Sequence, residues 1–444
     1  MEQIIPIYLI IPFALMLLCV AVLPLTRLSG WWEGRHDLNK LLVSLILGIP
    51  VGAWFFAHGL SGVFIHQIFF DYIPFILLLS ALYVTTGGIR IQGNLKAVPN
   101  TNVMILGAGY ILASFVGTTG AAMLLIRLLL ETNRNRKYRV HSILFFIAAV
   151  ANCGGLLTPL GDPPLFLLFQ KGAGFTWFFN LVPQWALAGF LLLTAYYFID
   201  GYFYRKEYPH TEETGAADNA KAADNANTAK LKISGGINFL WLLCVIASTM
   251  FINPKYIPAM GAEDAPFYLK LLREWAFIAI ILMSLLSTKR DTRRSNSFTW
   301  GPIIEVAFVF VGIFATMPPA LMYLQQHPLG IDKPWEFFLF TGLLSAFLDN
   351  APTAMVFHAA AGTLPLQEGV RIAAGISEEL LAAISAGAVF FGSLTYIGNG
   401  PNFMVKSIAE QYGVKMPSFF GYMAKFSLTI CLPIFIVVML CFFL

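Results

Sequence analysis

Leu344-Ser345-Ala346-Phe347-Leu348-Asp349-Asn350-Ala351-Pro352-Thr353-Ala354-Met355 sets a carboxylate, an amide and a proline in the middle of an otherwise apolar run. Leu112-Ala113-Ser114-Phe115-Val116-Gly117-Thr118-Thr119-Gly120-Ala121-Ala122-Met123 follows the same frame without a gap, so that Phe, a polar tip and Ala-Met coincide. A second pair follows in the same order. Gly155-Leu156-Leu157-Thr158-Pro159-Leu160-Gly161-Asp162-Pro163-Pro164-Leu165-Phe166 matches Gly392-Ser393-Leu394-Thr395-Tyr396-Ile397-Gly398-Asn399-Gly400-Pro401-Asn402-Phe403. Two ordered matches that share Gly, Pro, Thr and Asp or Asn point to an internal repeat. Helix breakers lie inside each matched segment, so each element is expected to unwind at its centre.

The rest of the chain says what surrounds these motifs. Of 444 residues, 58% are hydrophobic and 12% charged, against roughly 25% charged in an average soluble domain. The apolar residues fall in blocks: Ile4 to Leu23, Leu41 to Gly59, Tyr72 to Ile89, Trp177 to Ile199, Gly236 to Ile252 and Phe419 to Leu444. Each is near the ~20 residues that cross a bilayer core. They do not alternate with polar residues as barrel strands do, so the expected class is an all-α polytopic membrane protein whose first partner is the lipid bilayer. The first block follows Met1-Glu2-Gln3 without a basic flank and reads as a retained span rather than a signal peptide. Five scattered cysteines (Cys19, Cys153, Cys244, Cys431, Cys441) read as small hydrophobes. A net charge of +4 is no sign of a nucleic-acid partner.

Its distribution sets orientation. One topology puts Lys171, Lys255, Lys270, Arg273, Lys333 and Arg371 outside and the other 22 of the 28 basic residues on the cytoplasmic side of an inner (plasma) membrane, as the positive-inside rule favours. It requires the segments about 101–130 and about 336–362 to be re-entrant hairpins, with polar tips at Gly117-Thr118-Thr119-Gly120 and Asp349-Asn350-Ala351-Pro352. Two kinked spans in their place would break the charge asymmetry. The polar, Ala/Asn/Asp-rich stretch at 210–230 reads as a solvated part of a cytoplasmic linker, 201–235. The domains expected are therefore a first repeat at 1–200 and a second at 236–444. Each holds five spans plus one hairpin. Five is odd, so the halves are expected to be inverted, with broken helices meeting near mid-membrane as in secondary transporters.

Unwound helices offer carbonyls to a cation and N–H groups to an anion. Asn152, Thr158 and Asp162 in the first half, and Asn350, Thr395, Asn399 and Asn402 in the second, supply hard oxygens that suit Na⁺ better than a transition metal. A carboxylate at membrane depth marks an ion or proton pathway by default, which singles out Asp162 and Asp349. The Na⁺ candidates are Asp162, Asp349, Asn350 and Asn399. The bland alternative for both Asp162 and Asp349 is a structural cap, in which the side chain satisfies freed N–H groups of its own turn. Glu305 reads equally as an N-terminal helix charge, Glu378 and Glu379 as surface residues, and His358 as a packed histidine.

The Ser-Ala-Phe-Leu-Asp-Asn-Ala-Pro-Thr-Ala hairpin and the stretch Asn152-Cys153-Gly154-Gly155-Leu156-Leu157-Thr158-Pro159-Leu160-Gly161-Asp162-Pro163-Pro164 resemble the ion transporter superfamily. That superfamily holds D-type sodium/proton antiporters, arsenite pumps, citrate transporters and divalent-anion/sodium symporters, and the chain looks closest to its citrate-transporter and sodium:proton-antiporter branch. The resemblance covers the chain apart from 201–235. It implies a dimerising scaffold domain and a transport domain that carries both hairpins in an elevator motion, hence a homodimer. It implies binding roles for the tips, here Thr118, Thr119, Asp349, Asn350 and Thr353. The carboxylate symporters carry Ser-Asn-Thr at both tips, which this chain does not. Its Asp-Asn-x-Pro tip resembles the antiporters, whose first hairpin also tends to be acidic, as this one is not.

The expected activity is Na⁺/H⁺ antiport, with Asp349 more critical than Asp162; the alternative is Na⁺- or H⁺-coupled transport of citrate or a related carboxylate. Two core carboxylates with no Lys or Arg beside the tips repel a polyanion and attract Na⁺. The Thr118-Thr119 tip at a helix N-terminus could still hold a substrate carboxylate. Opposed hairpins suit alternating access rather than a channel. No catalytic pattern and no phosphate-binding loop appears, so neither an enzyme nor a nucleotide-driven pump is expected. No cofactor is expected beyond Na⁺ and H⁺ as the moving ions.

Overall fold

A backbone inside a bilayer has no water to bond, so an apolar chain satisfies its N–H and C=O groups within helices. The computed structural model describes residues 5–444 except 33, 35–36, 94, 209–230, 263, 297 and 367–368. Among these, seven helices are long and apolar enough to cross a membrane: Ile7–Leu25, Leu38–Ala57, Ser61–Gly87, Val140–Leu157, Phe175–Glu207, Gly301–Gln326 and Phe419–Phe442. The chain is a multi-pass membrane protein.

The helices used below are α1 (Ile11–Val22), α2 (Leu38–Ala57), α3 (Ile73–Gly87), α4 (Pro99–Val116), α5 (Thr118–Thr132), α6 (Val140–Ala149), α7 (Pro163–Gln170), α8 (Val182–Glu207), α9 (Ile237–Phe251), α10 (Leu272–Ser287), α11 (Gly301–Gln326), α12 (Pro334–Phe347), α13 (Asn350–Ala361), α14 (Glu378–Phe391), α15 (Gly400–Gln411) and α16 (Leu432–Phe442). Three of the ten crossings expected from sequence fall short of the length of the other seven. Helices α9 and α10 have 15 and 16 residues, or ~23 Å of helix at 1.5 Å per residue. The crossing from α14 to α15 is interrupted at residues 392–399.

Both expected hairpins are helical pairs. Helices α4 and α5 meet at Gly117, whose φ of 81° is a conformation that favours glycine. Helices α12 and α13 meet at Leu348 and Asp349, both extended. Each pair starts with proline at its first helical position, Pro99 or Pro334, where the missing N–H costs nothing. The order of element types in the first half (three helices, a pair, a broken helix, one helix) returns in the second. Across the halves, α13 rests on α7 and α15 rests on α5. That cross-packing draws the four special segments together.

The linker is narrower than its sequence suggests. Helix α8 continues through Tyr202, Phe203 and Tyr204 to Glu207, and Lys232–Ser234 (β2) pairs antiparallel with Arg90–Gln92 (β1). The polar stretch 210–230 lies outside the described residues. A second small hairpin pairs Ile372–Ala373 (β3) with Ile376–Ser377 (β4).

Contacts between connecting segments fall into two sets. On one side, Arg293 and Asn296 donate to the carbonyls of Val84, Gly87 and Ile89. Lys40 pairs with Glu305, and Arg139 reaches Tyr412 and Gly413. On the other, Lys171 pairs with Asp71, and Arg273 lies over Phe166 and Phe169. The first set joins residues that the charge pattern assigns to one face, and the second joins residues assigned to the other.

Candidate functional site

The two Gly-x-Leu-Thr motifs fold alike. Gly161 and Gly155 touch so closely that a Cβ on Gly161 would lie 1.9 Å from the Gly155 oxygen. At the matching positions, a Cβ on Gly398 would lie 2.7 Å from the Gly392 oxygen. Each motif therefore doubles back on itself where only glycine fits. The threonines close the same loop. Thr158 donates to the Ser114 carbonyl, and Thr395 donates to the Ala346 carbonyl at 2.5 Å. Ser114 and Ala346 are themselves matched positions of the two hairpins. Both threonine hydroxyls also accept from the backbone two residues on, at 3.1 Å from Leu160 and 3.2 Å from Ile397. Thr158 and Thr395, read from sequence as ion ligands, thus fasten each broken helix to its own hairpin.

Four helix N-termini meet at the centre. Thr118 begins α5, Asn350 begins α13, Asp162 immediately precedes α7 and Asn399 immediately precedes α15. Each carries a partial positive charge, so together they favour negative charge between them. Asp162 supplies it. Its side chain makes no capping bond to its own helix and is only 1% exposed. Thr118 Oγ1 donates to its Oδ1 at 2.7 Å, Asn399 Nδ2 donates to the same oxygen at 2.9 Å, and Asn350 Nδ2 donates to Oδ2. All three donors are neutral.

A line of amides continues from there. Asn399 Nδ2 also reaches Asn152 Oδ1 at 3.2 Å, and Asn152 Nδ2 donates to Asn402 Oδ1 at 2.6 Å and to the Ile147 carbonyl at 2.8 Å. Asn402 in turn donates to the Gly392 and Thr395 carbonyls, both at 2.8 Å. One atom is left over: Asn350 Oδ1 is buried and accepts no hydrogen bond from the described residues. An unmet buried acceptor is costly, and this one belongs to a side chain that already touches Asp162.

Asp349 sits differently. It is half-buried, and its Oδ1 accepts from the Ala351 N–H at 3.0 Å as the N-cap of α13, while Thr353 donates back to its carbonyl at 2.9 Å. The two aspartates are close enough to interact electrostatically. Sequence reasoning named both aspartates as ion-site candidates, Asp349 the more critical, with a cap as the alternative; in the structure Asp349 makes a capping bond and Asp162 makes none to its own helix. Thr119 is half-buried beside Thr118. Glu305 lies away from the hub, paired with Lys40, and His358 bonds the Ala374 carbonyl at 2.8 Å.

Sequence reasoning missed Ser114 and Ser345. Ser114 Oγ donates to the Gly154 carbonyl at 2.5 Å and accepts from Leu157 N–H at 3.1 Å; Ser345 donates to the Ala388 carbonyl at 2.7 Å. The two serines are one position out of frame in the aligned hairpins, which hid their shared task of tying hairpin to broken helix.

A family model described as "Putative citrate transport" matches residues 2–443. The chain belongs to this citrate transport family. Its family is one of membrane transporters, and the chain is not an enzyme. No curated protein matches it. The hub described above joins buried polar side chains from both halves of the chain.

Proposed function

We propose that the chain is a secondary transporter driven by an ion gradient, with its coupling cation held at Asp162, and that it exchanges Na⁺ for H⁺. The observation that carries this reading is a fully buried carboxylate bonded only by neutral side chains, with the unpartnered Asn350 Oδ1 beside it. A rotation of the Asn350 or Asn399 amide would turn Nδ2 away and Oδ1 toward a cation, so the same residues serve a protonated and a cation-loaded Asp162. Proton and cation then compete for one carboxylate, which is the minimal requirement for antiport. The reading includes two inverted repeats, a cytoplasmic linker in an inner-membrane protein, a homodimer built on a scaffold domain and an elevator motion of the hairpins.

A second reading is Na⁺- or H⁺-coupled movement of citrate or a related carboxylate. The family description favours it, and the four N-termini at the hub would also suit a carboxylate that arrives together with a cation. Purified protein in proteoliposomes separates the two. Antiport predicts that a Na⁺ gradient moves the internal pH without any organic anion, and that Asp162→Asn abolishes the movement. Accumulation of labelled citrate, with no pH change on Na⁺ alone, would replace antiport by the second reading.

A further inference from the structure

Away from the hub, a cavity of about 130 Å³ opens among β1, the far end of α5, residues 295–296 and the last turn of α15. Its walls carry two guanidiniums, Arg90 and Arg127, and one carboxylate, Glu131. Arg127 is half-buried, yet among the described residues it makes no hydrogen bond and no ion pair; its neighbours in charge are Arg90, Tyr412 and Glu131. Arg90 Nε and Nη2 lie 3.0 and 2.6 Å from the Gln92 side-chain amide, whose oxygen accepts from both once the amide is turned over. Arg139, outside the lining, donates to the carbonyls of the lining residue Tyr412 and of Gly413 at 3.4 Å. Like charges held side by side in a partly buried site repel, and nothing among the described residues bonds Arg127 to offset it.

We infer that this cavity binds a small oxyanion of charge −2 or more, a polycarboxylate or inorganic phosphate, between Arg90 and Arg127. Guanidinium forks match carboxylate and phosphate oxygens two at a time. At ~30 Å³ per water, the volume corresponds to about four waters, enough for a small dianion. Arg127 lies nine residues beyond Thr118 on the same helix, ~14 Å from the hub by helix rise. An anion held there touches α5 and α15, which begin at or next to hub residues Thr118 and Asn399. The inference deepens the carboxylate reading of the cargo, but it rests on residues that take no part in the hub.

The test is equilibrium binding of radiolabelled citrate, and separately of radiolabelled phosphate, to the purified full chain in detergent at constant ionic strength. Saturable binding is expected, weakened at least about tenfold in Arg127→Gln and in Arg90→Gln, partly kept in Arg127→Lys and unchanged in Lys255→Gln, an exposed basic residue outside the cavity. Citrate binding without phosphate binding identifies a polycarboxylate site, and the converse identifies a phosphate site. Failure of both ions to bind saturably, or equal binding by Arg127→Gln, overturns the inference. Melting curves check that each variant folds, and Arg90→Gln carries the test if Arg127→Gln does not. Because this inference is scored by equilibrium binding and the proposed function by flux, failure of one leaves the other readable.

Discussion

Asp162 and Asp349 show how far a residue's task is set by its surroundings rather than its type. Both are carboxylates at the start of a helix inside apolar sequence, and both were legible as candidates. Only packing tells them apart: Asp162 turns away from its own helix toward donors from both halves, whereas Asp349 bonds its own first turn. Asp162→Asn should abolish coupled exchange while the protein stays folded, since an amide keeps the shape. Asp349→Asn should keep a substantial part of the flux, because Asn caps as well as Asp, and Asp349→Ala should cost about 1 kcal/mol of stability. Flux and melting of the purified variants in proteoliposomes and detergent check both. Wild-type exchange by Asp162→Asn would sink the assignment of the coupling site.

At the scale of elements, the matched motifs act as clamps. Gly161 and Gly398 permit a reversal that a Cβ obstructs, and Thr158 and Thr395 tie it to the hairpin. Gly161→Ala should therefore destabilise more than Gly398→Ala, since its Cβ would meet backbone at 1.9 Å rather than 2.7 Å; equal melting temperatures would contradict the clamp. The root of the first hairpin is held by charge. Arg136 and Asp200, both fully buried, pair at 2.5 Å, and His141, Asn102 and Tyr196 add bonds to the same carboxylate. Removing one partner of a buried pair leaves the other uncompensated, so Asp200→Asn should cost on the order of 3–5 kcal/mol. A drop in melting temperature smaller than that of Asp349→Ala would show the pair to be dispensable. The hairpins were legible to within two residues, because a polar tip in an apolar run has few other solutions. The clamping serines were not, since a serine in an apolar helix carries no sign of which carbonyl it will meet.

At the scale of the molecule, loops that share a charge assignment also touch one another. The breaks at 90–100, 201–235 and 289–294 were expected on one face from their Lys and Arg; Arg90–Gln92 pairs with Lys232–Ser234, and Arg293 donates to the Val84 and Ser284 carbonyls. Lys171 and Arg273 were assigned to the other, and they meet α3's approach and α7. Some span lengths were legible: the apolar block Gly236 to Ile252 bounds α9, only 15 residues long, to one residue at each end. That shortness makes α9 the place to test the topology. If the second half enters upside down, α9 must carry the chain from Lys232 on one face to Lys255 on the other, despite spanning only ~23 Å of a ~30 Å core. Both lysines are exposed, so cysteines placed there in a background without the five native ones should react with a membrane-impermeant reagent from opposite sides. Lys255→Cys should label in intact cells, and Lys232→Cys only after the membrane is opened. Labelling of both in intact cells would make α9 re-entrant, give the second half an even number of crossings and remove the inversion on which alternating access at Asp162 depends.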